Sequence, residues 1–262
     1  MEVLRTHGVE VAYERVGSGP LVLLVHGSAC DSRIWRPQLD ALADDLTVVA
    51  WDQPGAGRSS DPPPGFTLSD YAACLADLVD HLALGPAHVV GHSWGSTLAL
   101  ELYRQAPEQV ATLVLVDAYA GWKGSLPASE VRARVERTRA MLAAPPAENV
   151  ELPGVFAGEP PAEFAELVRR LAADVRRGPM ADQLTAMAEA DLGGMLGSID
   201  VPTLLLWGEL DARSPLTVAR RMEAAIPGAR LVTFAGAGHT LNLERPAELN
   251  DAVREFVHAH PG

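Results

Sequence analysis

The chain has 262 residues, of which 48% are hydrophobic and 21% charged, a length and balance that suit a globular protein with its own core and exclude disordered and fibrous classes. Acidic residues outnumber basic ones 34 to 21, for a net charge of -13, and such a chain repels phosphate backbones and anionic lipid surfaces; neither nucleic acid nor membrane is an expected partner. Two cysteines, Cys30 and Cys74, are too few for a disulfide framework and lack zinc-site spacing. With no apolar leader and no bilayer-length apolar run, a cytoplasmic location is expected.

Residues 3–16 contain two β-rich runs split by His7-Gly8, with Val9, Val11 and Tyr13 alternating against polar neighbours, which predicts a half-exposed hairpin at a sheet edge. The runs 21–25 and 46–50 are almost continuously apolar, as strands covered on both faces must be. Leu68, Tyr71, Ala72, Leu75, Leu78, Val79 and Leu82 then recur at helical spacing, with Thr67 or Ser69 to cap the start and Gly85 to end it. A short strand at 88–90, a helix over 94–104 and a buried strand at 113–116 follow. Residues 121–200 break the alternation with three helical periods and no strand, the mark of an inserted helical lid, or cap, roofing a pocket or packing mainly on itself. Strands at 203–207 and 231–234 and helices at 215–226 and 246–258, both opening with proline, complete the chain. The expected fold is therefore α/β, with a mostly parallel sheet wrapped by helices, a core domain at 1–120 and 201–262, and a cap at 121–200.

Gly91-His92-Ser93-Trp94-Gly95 fits G-x-S-x-G at the end of one strand and the start of a helix. A turn that sharp needs small neighbours, and it leaves the Ser93 hydroxyl exposed at its tip. A serine hydroxyl is a weak nucleophile that needs a base and a group to orient that base. His239, after Gly236-Ala237-Gly238 and the last strand, is placed to be the base, whereas His92 is expected to point elsewhere and His26 to brace its loop. Asp211, four residues beyond Trp207, is the expected orienting acid. Asp117, at the end of the 113–116 strand, is its rival, and Glu209 is read as a loop residue. Oxyanion donors are expected from the backbone amides of Trp94 and Ser28.

On these motifs, together with His26-Gly27 and the Asp52–Ser59 turn Asp-Gln-Pro-Gly-Ala-Gly-Arg-Ser, the chain resembles the α/β-hydrolase superfamily over nearly its whole length. The order Ser93, Asp211, His239 is that superfamily's order. The elbow and the Asp52 turn resemble proline iminopeptidases, but Gly27-Ser28-Ala29-Cys30 replaces their oxyanion loop. Residues 26–35 are more similar to small esterases and enol-lactonases, and a serine at the elbow argues against haloalkane dehalogenases and epoxide hydrolases. The resemblance implies hydrolysis of a small-molecule ester or lactone through an acyl-enzyme, with no metal or organic cofactor, by a monomer or homodimer. An aminopeptidase using Glu148, Glu151, Glu159 and Glu163 to hold an amine, and a ligand receptor or non-hydrolytic enzyme on the same fold, are the alternatives. Met141, Met180, Met187 and Met195 are read as core filling, Arg132, Arg134, Arg137 and Arg139 as a solvated helix face, and Cys30 as a buried thiol.

Overall fold

The computed structural model describes residues 2–144 and 154–261. Strands β1 (Glu2–Thr6) and β2 (Val9–Val16) form the expected edge hairpin, whose turn puts both His7 and Gly8 at positive φ. Then follow β3 (Leu21–Val25), α1 (Arg36–Leu42), β4 (Thr47–Trp51), α2 (Leu68–Leu82), β5 (Ala87–His92), α3 (Trp94–Gln105) and β6 (Val110–Val116). The inserted stretch holds α4 (Trp122–Ser125), α5 (Ala128–Ala143), α6 (Ala165–Ala173) and α7 (Arg177–Glu189). The chain closes with β7 (Thr203–Gly208), α8 (Leu216–Ala225), β8 (Arg230–Phe234), α9 (Leu241–Glu244) and α10 (Pro246–Ala259).

The eight strands lie in the order β1-β2-β4-β3-β5-β6-β7-β8, antiparallel where β2 meets β1 and β4 and parallel elsewhere. The chain steps outward from β3 to β4 and then returns to lay β5 on the other side of β3. The connections leaving β3 and β5 therefore diverge, which opens a crevice at their carboxyl ends. Alternate residues of each central strand serve opposite faces. Leu23, Val25, Val89 and Leu115 pack with Leu75 of α2, Leu98 of α3 and Val218 of α8. Val22, Leu24, Val90 and Val116 pack with Leu39 of α1 and Val253 of α10. Burial on both faces is why these strands read as unbroken apolar runs.

Local chemistry sets the helix ends, in two places differently from the sequence reading. Thr67 and Asp70 form a reciprocal capping box at the start of α2, each side chain accepting from the other's amide. Its end is not made by Gly85: the helix stops at Leu82, three residues before the glycine, and Ala83 takes the left-handed conformation at φ 52°. Pro215 stands just before α8 rather than inside its first turn. The inserted helices pack both on each other and on the sheet rim, since Leu184 and Met187 of α7 join one core layer and Leu171 of α6 the other. The ion pairs Arg33–Asp174 (2.8 Å) and Arg176–Asp61 (2.5 Å) tie α6 and the α6–α7 junction to the sheet loops. No helix among the described residues is long and apolar enough to cross a membrane.

His88 in β5 is buried and shares a 3.0 Å hydrogen bond between its Nδ1 and the Thr112 hydroxyl on β6. Burial lowers its pKa to about 4. The unfolded chain takes up that proton near the ordinary value of about 6.5, so this contribution to stability is fully present above 6.5 and is lost as the pH falls toward 4. Urea unfolding of the wild type across that window should show a slope steeper than that of His88→Gln by up to about 1.4 kcal/mol per pH unit. Parallel slopes would contradict a neutral, buried His88.

Candidate active site

Ser93 sits where β5 breaks into α3. Its backbone adopts φ 53° and ψ -115°, a strained combination for a residue bearing a Cβ, held by a bond from its amide to the Val116 carbonyl (2.9 Å). The turn closes because its neighbours are bare. A Cβ on Gly95 would stand 2.0 Å from the Val25 carbonyl oxygen, and one on Gly91 would stand 2.6 Å from the Gly95 oxygen. Ser96 in the first turn of α3 braces it further, donating to the Ser93 carbonyl and accepting from the Tyr119 amide (2.9 Å).

The strands bring the other predicted residues to this point. His239, on the loop after β8, has its Nε2 2.9 Å from the Ser93 hydroxyl and its Nδ1 2.8 Å from Asp211 Oδ2. All three are buried. Asp211 is itself held by its own loop, with Oδ1 accepting from the amides of Arg213 (2.7 Å) and Ser214 (2.8 Å). The loops of Asp211 and His239 touch through bare backbone: a Cβ on Gly208 would lie 2.1 Å from the Gly238 carbonyl oxygen. His239 Nε2 must accept if the serine hydroxyl donates, and its Nδ1–H then donates to the carboxylate. In that tautomer the chain is suited to drawing a proton off Ser93.

The rivals fall elsewhere. Asp117 accepts from the amides of Gly208 (2.9 Å) and Leu241 (3.3 Å), and burial raises its pKa well above the carboxylate range; it joins β6, β7 and α9. Glu209 is exposed and accepts from the Thr233 hydroxyl (3.0 Å). His26 donates from Nδ1 to the Gly27 carbonyl (2.8 Å) and accepts at Nε2 from the Gln53 amide (3.1 Å), bracing its loop as expected, and burial lowers its pKa. The Asp52 turn is structural: its carboxylate accepts from the amides of Ser32 (2.8 Å) and Arg58 (2.9 Å).

The Gly27-Ser28 loop runs beside Ser93, with the site of a Gly27 Cβ 3.3 Å from the Ser93 Cβ. The amides of Ser28 and Trp94 make no hydrogen bond among the described residues, so both remain available as donors. Above them lies a cavity of about 880 Å³, lined by Ser28, Ser93 and His239 below and by residues of α5, α6 and α7 above. Among the described residues, no group of three His, Cys, Asp or Glu side chains is arranged to hold a metal.

Several features here were not legible in the sequence. His92 does not turn away from His239. Its Nε2 donates to the His239 carbonyl (2.7 Å), its ring lies 5.3 Å from the His239 ring, and burial lowers its pKa to about 3. Arg134 is buried against the cavity instead of forming part of a solvated face, whereas Arg132, Arg137 and Arg139 are exposed as expected, Arg137 at the cavity's edge. Met141 and Met180 line the cavity, whereas Met187 is in the core and Met195 packs against it. Cys30 is half-buried and also lines the cavity, its thiol donating to the Gly27 carbonyl (3.3 Å). Of the four glutamates offered for an amine, Glu148 and Glu151 lie outside the described residues; Glu159 and Glu163 are exposed.

The α/β hydrolase family model matches residues 22–252, and the chain belongs to that family. It is similar, at 32% identity over 95% of this chain and 67% of the other, to the dihydrolipoyllysine-residue acetyltransferase component of the acetoin cleaving system of Cupriavidus necator. It is 30% identical to a putative carbamate hydrolase of Azorhizobium caulinodans, covering 95% of this chain and 96% of that one. A thermophilic esterase from Thermogutta terrifontis, solved with malate bound, superposes with a TM-score of 0.81 at 28% identity, over 96% of this chain and 94% of the esterase. Other esterases and lactonases share the fold. The chain is an α/β hydrolase with hydrolase relatives.

Because Gly95 approaches backbone that cannot yield, Gly95→Ala should lower stability by more than about 4 kcal/mol or prevent folding. Chemical denaturation of the purified variant measures this, and a loss under about 1 kcal/mol would contradict so close a contact.

Proposed function

We propose that the protein is a serine hydrolase that cleaves a small carboxylic ester or lactone through an acyl-enzyme, with residues 121–200 acting as a cap over the site. Ser93 is the nucleophile, His239 the proton shuttle and Asp211 the group that orients it. The observation that carries this reading is the unbroken hydrogen-bonded chain from the Ser93 hydroxyl through His239 to Asp211 at the floor of the cavity.

In the first step the Ser93 oxygen bonds to the substrate's carbonyl carbon while its proton passes to His239 Nε2. The carbonyl oxygen becomes an oxyanion that accepts from the amides of Ser28 and Trp94, each donor contributing about 3 kcal/mol to the barrier reduction. The alkoxide leaves with the proton from His239. Water then gives its proton to His239, attacks the acyl carbon and releases the acid, and Ser93 recovers its proton. A lactone follows the same course, with alcohol and acid remaining in one molecule. Asp211 stays ionised throughout and stabilises the imidazolium. Likeness to an esterase and to a putative carbamate hydrolase supports an acyl carbon attached to oxygen. The arginines around the cavity argue against a pocket built for a substrate amine. Both cysteines are unpaired thiols, in keeping with a reducing cytoplasm.

Ser93→Ala should reduce hydrolysis of short-chain esters to background and abolish labelling by a fluorophosphonate, with an unchanged circular dichroism spectrum. Asp211→Asn, which permits the wrong imidazole tautomer, should lower kcat by about 10³- to 10⁴-fold. Turnover retained by Ser93→Ala would rule out the acyl-enzyme.

A further inference from the structure

The cavity above Ser93 is walled on one side by guanidinium groups, although the chain as a whole is strongly acidic. Arg134, Arg137 and Arg213 all line it, and their circumstances differ. Arg134 is buried and each of its three nitrogens already donates: Nε to Glu130 (2.8 Å), Nη1 to the Tyr119 hydroxyl (2.9 Å) and Nη2 to the Arg213 carbonyl (2.7 Å). Arg137 is exposed and lies 3.6 Å from the same Glu130, so one carboxylate serves two cations.

Arg213 has no such partner. Its backbone amide holds Asp211, but its guanidinium has no acceptor among the described residues. The nearby Asp211 is fully engaged, with Oδ1 on two amides and Oδ2 on His239. Burial, together with repulsion from Arg134 and Arg137, lowers the pKa of Arg213. The partly buried guanidinium opens onto the cavity that holds Ser93, where its N–H groups can meet a bound anion. Among the described lining residues, three arginines face two glutamates, Glu130 and the exposed Glu159. The excess of positive charge is at most one, because Asp211 lies beside Arg213, and this matches a monoanion better than a phosphate dianion.

We propose that the substrate is an ester or lactone bearing a second, free carboxylate, and that the Arg213 guanidinium, with Arg137 beside it, binds this carboxylate while Ser93 attacks the acyl carbon. The proposal rests on the serine-hydrolase reading above. A guanidinium fork matches the two carboxylate oxygens and fixes the direction of the chain between them and the reacting carbonyl. The acid released would then be a dicarboxylate or a hydroxy acid bearing a second carboxylate.

The test pairs each charged ester with a neutral one of the same length: monomethyl succinate, glutarate and adipate against methyl butyrate, valerate and hexanoate. For at least one pair, wild-type kcat/KM should favour the charged ester by about tenfold or more. Arg213→Gln should reduce that preference by about tenfold, chiefly through KM, and Arg213→Lys, which keeps the charge but not the fork, should restore part of it. Arg132→Gln, which removes an exposed charge from the same helix as Arg137, should leave the preference at its wild-type value. Should Arg213→Gln fail to fold, wild-type inhibition decides: free glutarate or adipate should compete with methyl butyrate at lower concentration than the matching monocarboxylate. Neutral esters hydrolysed as well as their charged partners in every pair, or a preference that survives in Arg213→Gln, would overturn the carboxylate site while Ser93 still labels with fluorophosphonate. Absence of both ester turnover and labelling would remove the serine reading and this proposal with it.

Discussion

The site depends on a turn too crowded for side chains. Between β5 and α3 the chain reverses direction so tightly that the backbones of Val25, Gly95 and Ser96 occupy the space that β-carbons on Gly91 and Gly95 would need. Ser93, at the tip, carries its side chain on strained backbone, and the strain is borne by the parallel strands on either side. Those strands are covered on both faces and cannot shift without disturbing two core layers. A rigid sheet thus maintains a conformation that the local sequence would not hold alone.

The same logic of bare backbone brings the remaining residues together. Gly208 and Gly238 let the loops after β7 and β8 lie against one another, and the carboxylate and imidazole they carry meet as a result. Asp117 supports that junction from beneath by accepting from both β7 and α9. Its charge would oppose Asp211 at close range, which is why burial and the neighbouring carboxylate both favour its protonated form. Two carboxyl groups at adjacent strand ends are therefore divided between holding the His239 ring and fastening a scaffold.

The architecture was legible because it is written in short-range patterns. Apolar runs such as Leu21–Val25 and Thr203–Gly208 announce strands covered on both sides, and G-x-S-x-G between a strand and a helix fixes the turn. Ser93, Asp211 and His239 followed from strand ends and glycine-flanked loops. What escaped was set by long-range packing. Arg134 lies four residues after Glu130, the spacing of an ordinary exposed pair, and α5 has too few apolar residues to reveal which side faces inward. His92 reads as a residue of the elbow, and only the arrival of the β8 loop gives its ring a carbonyl to bind. Arg213 is two residues beyond the acid, in a loop with no periodicity to betray the direction of its side chain.

The bond from Arg134 to the Arg213 carbonyl joins α5 to the loop whose amides clasp Asp211. Lifting that helix away from the sheet has to sever this tether first, and doing so releases the stretch that keeps the carboxylate aimed. The seating of α5 over the cavity and the aim of the Asp211 carboxylate at His239 are therefore linked through a single hydrogen bond.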